Sequence, residues 1–304
     1  MGSRLALHPA QRPGGPRAAA ARVAAVRAGL RAARERDSLS LADADRIAQW
    51  LGAHALGVFA LGLCVVLACA GFGWHFVGRH FHAAPGEQPS PVRLALLLAA
   101  GFAVILAAGS GFAEIAEEIG YGGEVARFDD VLAMSLAANV GQDTRRIFAA
   151  ITRLGDPSTL VGLAIIVAAA LVAAGYRRLA FGWLAALAGN ALLNYILKAV
   201  FERVRPVHDP SFVAGTGWSF PSGHSSGAIV GYGLLSYVLV RLLPRRWHLP
   251  MVVSAAALAF TIGSSRVFVG VHFASDVIAG FLSGGAWLAV CVIAMEFARH
   301  YRRG

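Results

Sequence analysis

The stretch SSRVFVGVHFASDVIAGFLSGGAWLAVCVIA, residues 264–294, decides how this chain folds. From His272 onward it is long and apolar enough to cross a bilayer core as a helix, which takes about 20 residues, yet its first turn carries His272 and Asp276. Six further apolar stretches lie near residues 51–76, 93–112, 159–175, 180–200, 223–243 and 250–264, the last needing the chain up to about Val267 to span. They are runs of Ala, Leu, Val and Ile rather than short alternating segments, which argues against a membrane barrel. With 57% hydrophobic and 14% charged residues in 304, and a mean hydropathy of +0.61, the chain is too apolar for a soluble domain of this length. The expected fold is an all-α integral membrane protein with a six-helix transmembrane core and one extra N-terminal apolar helix. The expected division is an Ala/Arg-rich extension (1–47), the extra helix and its loop (48–92), the core (93–296) and a basic tail (297–304).

A net charge of +10 can signal nucleic acid, but on a membrane protein basic residues record orientation. Arg177 and Arg178 follow the third stretch, Arg241, Arg245 and Arg246 the fifth, and Arg299, Arg302 and Arg303 the seventh, so all three clusters fall on one membrane face. By the positive-inside tendency that face is cytoplasmic, and the segments near 201–222 and 265–271 open on the other side. The long connection 113–157 lands there too, and its part FDDVLAMSLAANVGQDTRRIFAAITRLG has the spacing of a helix lying along the interface. Asp129 and Asp130 read there as a helix cap or a solvated face. The nine arginines of residues 1–47 break the pattern, since seven crossings place them outside. Either the first stretch does not span or those arginines do not dictate topology. That region has no secretory cleavage pattern and reads as a mobile or surface-lying extension.

Cys64, Cys69 and Cys291 lie within apolar stretches and read as buried small hydrophobes. His75, His80 and His82 read as interfacial residues rather than a metal site. Gly189 and Gly231 permit close helix packing, within one chain or between two; the oligomeric state is not legible.

Three fragments carry chemistry. ILKAVFERVRP (196–206) holds Lys198, the single lysine among 27 Lys and Arg, and Arg205 seven residues later, about two helical turns, with Pro206 ending the helix. Pairing of Lys198 with Glu202 at i+4 is the alternative. GWSFPSGHSSGAIVGYG (217–233) places Pro221, Ser222 and Gly223 just before an apolar helix, where backbone N–H groups face outward at a positive terminus suited to an anion. His224 follows in the first turn, placed to donate a proton to an oxygen bound there, although such residues also cap helices. In SSRVFVGVHFASDVIAG (264–280), His272 and Asp276 are four apart, so the carboxylate can hold one imidazole nitrogen and leave the other as nucleophile or base; Arg266 lies in the connection before them.

Lys198, Arg205, Pro206, then Pro221, Ser222, Gly223, His224, then Ser265, Arg266, His272 and Asp276 make a set that resembles the three-part signature of the type 2 phosphatidic acid phosphatase superfamily, membrane branch. All eleven fixed residues stand in order, and the resemblance covers about residues 93–296. It implies that His272 attacks phosphorus to form a phosphohistidine, that Asp276 orients it, and that His224 acts as general acid and then base. It implies that Lys198, Arg205, Arg266, Ser222 and the Gly223 N–H bind phosphate oxygens, with no metal and no cofactor. The implied activity is hydrolysis of a lipid phosphate or pyrophosphate monoester, such as undecaprenyl pyrophosphate, phosphatidylglycerol phosphate or phosphatidic acid. The implied place is the extracytoplasmic face of the cytoplasmic membrane, with the bilayer and a lipid phosphate, and no nucleic acid, as partners. Transfer of the phosphoryl group to a lipid or sugar acceptor by the same site is the alternative.

Overall fold

The structure, a computed structural model, describes residues 41–81, 91–120, 123–206 and 217–300. The chain divides into two compact units, residues 1–47 and 48–304. Of the first, only 41–47 are described, and they are helical; the expectation for the extension otherwise lies outside the described residues. Most of the described chain is helical: α1 (41–53), α2 (Ala55–Phe81), α3 (Pro91–Gly120), α4 (Glu124–Asn139), α5 (Gln142–Thr152), α6 (Pro157–Ala173), α7 (Arg177–Phe201), α8 (Gly223–Leu242), α9 (His248–Phe268) and α10 (Ala274–His300). No strand occurs among the described residues. Six of these helices are long and apolar enough to cross a membrane, so the chain is an all-α integral membrane protein.

The third apolar stretch forms α6, which at 17 residues is short, and only together with α5, across a 42° bend, does it make a seventh span. The bend falls at Asp156 and Pro157, where proline is tolerated in a first turn but has no N–H to continue a preceding helix. The single helix expected over residues 128–155 is two helices. Val140 and Gly141 are extended, and the Arg145 guanidinium folds back to donate to the carbonyls of Ala137 at 2.8 Å and Val140 at 3.1 Å, closing the open end of α4.

α8 lies at the centre, packed against α7, α9 and α10. Apolar side chains gain little from leaving lipid, so close approach and polar links hold the bundle. A Cβ on Gly280 would sit 2.6 Å from the Ser222 carbonyl, and one on Gly284 2.8 Å from the Ser226 backbone, so α10 crosses α8 at contact distance only because both are glycine. Gly189 receives the Trp287 ring, whose Nε1 donates to the Ala186 carbonyl at 2.8 Å, so this glycine serves packing within the chain. The start of α7, the end of α8 and the end of α10 gather at one end of the bundle, where Arg241 and Tyr237 bond Glu296. The motif residues lie at the other end. Cys64 and Cys69 are exposed rather than buried, on the outward face of α2. Of the three-histidine group, His82 lies outside the described residues.

Candidate active site

α7 stops earlier than its sequence indicates. Glu202 takes a left-handed conformation (φ 43°) and its N–H closes on the Lys198 carbonyl, so the helix ends at Phe201 and not at Pro206. Lys198 and Arg205 therefore do not share a helix face. Lys198 stays in the last turn, its Nζ donating to the carbonyls of Trp218 and Ser219, and it forms no pair with Glu202 among the described residues. Beyond Glu202 the chain leaves the helix without regular structure, and exposure alternates: Glu202 and Val204 are exposed, Arg203 and Arg205 turned inward. Arg205 reaches the Val271 carbonyl at 2.8 Å and His272 Nε2 at 3.0 Å.

The loop before α8 is pinned by Phe220, fully buried against Phe112 and Phe201. Ser222 caps α8, its hydroxyl accepting from the Ser225 N–H, and its own N–H donates to the Asp276 carbonyl at 2.9 Å. The Ser222 hydroxyl thus serves the helix start, and Gly223 rather than Ser222 lines the cavity described below. His224, in the first turn as expected, makes a 2.8 Å hydrogen bond through Nε2 to Asp156. Gly155 is required beside it, since a Cβ there would sit 3.1 Å from His224 Cδ2 and 2.5 Å from Ile262 Cγ2.

Arg266 belongs to the last turn of α9, not to the connection after it. It is 3% exposed; Nη1 donates to Thr152 Oγ1 at 2.8 Å, and Nε is buried without a partner among the described residues. A buried cation with an unmet donor is costly, and an anion's oxygen would satisfy it. His272 precedes α10 instead of starting it, in a turn where its N–H and that of Val271 close on the Arg266 carbonyl. The i, i+4 pair with Asp276 still forms, with Nδ1 3.2 Å from Oδ2. The same oxygen accepts from the Phe273 N–H at 3.0 Å and the Ser219 hydroxyl at 2.8 Å. A carboxylate on Nδ1 holds the proton there and leaves the Nε2 lone pair available. Burial pulls the His272 proton affinity well below the ordinary imidazole range, against the opposing pull of Asp276, so the ring is neutral.

These groups meet at a cavity of about 730 Å³. Lys198, Arg205, Gly223, His224, Arg266 and His272 line one end. Leu160, Val161 and Ala164 of α6 and Leu184, Leu187 and Ala191 of α7 line the other, a run of apolar wall descending between the two helices. Asn194 bridges the zones, its Nδ2 donating to Ser226 Oγ at 2.6 Å. Seven of the eight expected site residues are thus drawn together at or behind one cavity end, Asp276 through His272, and Ser222 is set into the helix cap. No group of three or more His, Cys, Asp or Glu among the described residues could hold a metal ion.

Sequence reasoning missed four participants. Asp156 had no signal beyond standing before Pro157 at a helix start, and Asn194 none beyond being a polar residue inside an apolar stretch. Arg203 sits two residues before Arg205 in a fragment already singled out. Asp129 is not a cap or a solvated face: it is 2% exposed, paired with Arg203 at 2.9 Å and with Ser275. Burial pushes its carboxyl up, and the bonds from Ser275 and Arg203 work against that push.

Known proteins similar to this chain are membrane phosphatases. A profile of the PAP2 superfamily matches residues 179–299. The chain is similar to phosphatidylglycerophosphatase B of Bacillus subtilis, 41% identical over 147 residues, covering 45% of this chain and 68% of that protein. It is also similar to an undecaprenyl-diphosphatase of Sulfolobus acidocaldarius, 31% identical over 110 residues, 34% of this chain and about half (49%) of that protein. The crystal structure of a transmembrane PAP2-type phosphatidylglycerolphosphate phosphatase from Bacillus subtilis superposes with a TM-score of 0.58 and 32% identity, covering 64% of this chain and 96% of that one.

Proposed function

Because the chain belongs to the PAP2 superfamily, we propose that it is a membrane phosphatase that hydrolyses lipid phosphate or pyrophosphate monoesters through a phosphohistidine on His272. The observation that carries this reading is the two-zone cavity: three cations and two histidines at one end, an apolar wall between α6 and α7 at the other. A phosphate bound among Lys198, Arg205 and Arg266 would lay its ester chain along that wall, which suits a lipid better than a water-soluble ester.

In the first step the Nε2 lone pair of His272 attacks phosphorus as the P–O bond to the lipid breaks, and His224 gives its proton to the leaving oxygen. Arg205, now bonded to Nε2, moves its donor onto a phosphoryl oxygen. The three cations take up the charge that spreads over those oxygens. In the second step His224 removes a proton from water, the oxygen attacks the phosphohistidine, and inorganic phosphate leaves with His272 restored. Asp276 keeps the Nδ1 proton in place through both. This chemistry asks for no metal. The basic clusters at the opposite end of the bundle, read by the positive-inside tendency, support a cavity on the extracytoplasmic face of the cytoplasmic membrane.

The test is phosphate release by purified protein in detergent from a panel of lipid phosphates and pyrophosphates, with EDTA present and His272→Ala as control. Release that survives EDTA and vanishes in the variant is expected. Label that passes to an acceptor lipid or sugar without free phosphate would overturn hydrolysis, and full activity of the variant would overturn the phosphohistidine.

A further inference from the structure

The nucleophile's carboxylate has a partner outside the signature set. Asp276 Oδ2 is taken by His272, Phe273 and Ser219, while Oδ1 accepts from Arg203 Nη1 at 2.7 Å. The same Nη1 reaches Ser275 Oγ at 2.8 Å, and Nη2 reaches Asp129 Oδ2 at 2.9 Å. The guanidinium lies over the Phe273 ring at 4.1 Å from its centroid, and the Arg203 carbonyl accepts from the Ser219 N–H at 2.8 Å. Its side chain is 10% exposed and its two carboxylate partners are 1% and 0% exposed.

We propose that Arg203, anchored from behind by Asp129, is a positioning residue for the His272–Asp276 pair. The inference rests on the phosphohistidine reading above. Two features of the geometry point to it. One planar fork spans two carboxylates from different helices, α4 and α10, so Arg203 cannot pivot about either, and Asp276 cannot turn its Oδ2 away from His272 without breaking the Oδ1 contact. Further, Arg203 and Arg205, two positions apart after the end of α7, both turn inward while Glu202 and Val204 are exposed. One backbone segment therefore meets the nucleophile at both ends, Arg203 on the carboxylate behind Nδ1 and Arg205 on Nε2. A neutralised and fixed carboxylate holds the Nδ1 proton without drawing it off, which keeps Nε2 the attacking atom.

The experiment measures the rate of phosphohistidine formation by rapid quench with ³²P-labelled phosphatidic acid in mixed micelles, for wild type, Arg203→Met, Asp276→Asn and the double variant. Arg203→Met is expected to slow formation by roughly 10–100-fold, as loss of a ligand-orienting group does. In the Asp276→Asn background the same change should cost less than about 3-fold, because a residue acting through Asp276 has nothing left to act on. Equal losses in both backgrounds, or a wild-type rate in the single variant, would overturn the proposal. Should Arg203→Met fail to fold, Asp129→Asn carries the same cycle, with an expected loss of about 3–10-fold that disappears beside Asp276→Asn. Wild-type protein that forms no phosphohistidine while releasing phosphate would instead overturn the reading beneath the proposal, and the proposal with it.

Discussion

His272 and His224 face the same cavity, and their surroundings differ. His272 is 3% exposed, and the carboxylate behind it is saturated by four donors from three segments of the chain. His224 sits on the first turn of α8 with a single described side-chain partner, Asp156, whose side chain is 39% exposed. The contrast suits the two tasks proposed for these residues. A nucleophile must meet phosphorus along one line, so every rotation of its ring is a loss. A proton donor that later activates water must exchange its proton with whatever enters the cavity, and a half-exposed carboxylate allows that exchange.

Removing each histidine is the largest test of this contrast. His272→Ala should reduce phosphate release to background, on the order of 10⁵-fold or more, as loss of a covalent nucleophile does in other enzymes. His224→Ala should cost less, roughly 10²–10⁴-fold. With an activated aryl phosphate, whose leaving group needs no proton, it should accumulate phosphohistidine, read by acid quench. Failure of the intermediate to build up there would remove His224 from the second step.

The cation shell comes next. Lys198→Arg should leave the melting temperature in detergent unchanged yet lower phosphate release by about 10–100-fold, because a planar fork cannot replace an ammonium threaded to the Trp218 and Ser219 carbonyls. Wild-type turnover in that variant would make the lysine an ordinary basic residue. A smaller effect, about 10-fold, is expected for Asp156→Asn, and it should be larger for alkyl than for aryl phosphates when kcat/KM is compared. Equal losses across the two would assign Asp156 to structure alone.

The smallest effect concerns pH. Burial lowers the His272 proton affinity, so the ring stays neutral as pH falls through the ordinary imidazole range and is protonated only well below it. Phosphohistidine formation should therefore not fall between about pH 7 and pH 5, where an unperturbed histidine nucleophile would lose most of its rate. A loss centred near about pH 6.5 would show a His272 that is not held as the structure holds it.

Much of the site was legible because its residues are close in sequence or fixed to helix starts. The His272–Asp276 pair follows from a spacing of four, and His224 in a first turn follows from the Pro-Ser-Gly before an apolar run. Where the expectations failed, a local rule met a tertiary competitor. Pro206 is a sound stop signal, but Glu202 turns left-handed four residues earlier and α7 ends there. Asp129 looks like any acidic residue on an amphipathic helix, and only α10, docking through Ser275, buries it. A charge at the end of a short apolar run looks like an exit from the membrane, yet Arg266 stays in the last turn of α9, where Thr152 receives it.

Composition and periodicity by themselves determined that this chain is a bundle of membrane-spanning helices, with its basic clusters at one end and His224 and His272 at the other. Those properties depend on the solvent each stretch of chain can tolerate, which is written residue by residue. What only the tertiary structure decided is which groups stand behind the histidines. Arg203 meets Asp276 across 73 positions, Asp129 across 74, and His224 meets Asp156 across 68. No local periodicity reaches that far. Such pairs exist because a buried charge must find an opposite charge or a donor within hydrogen-bond reach once the helices have packed.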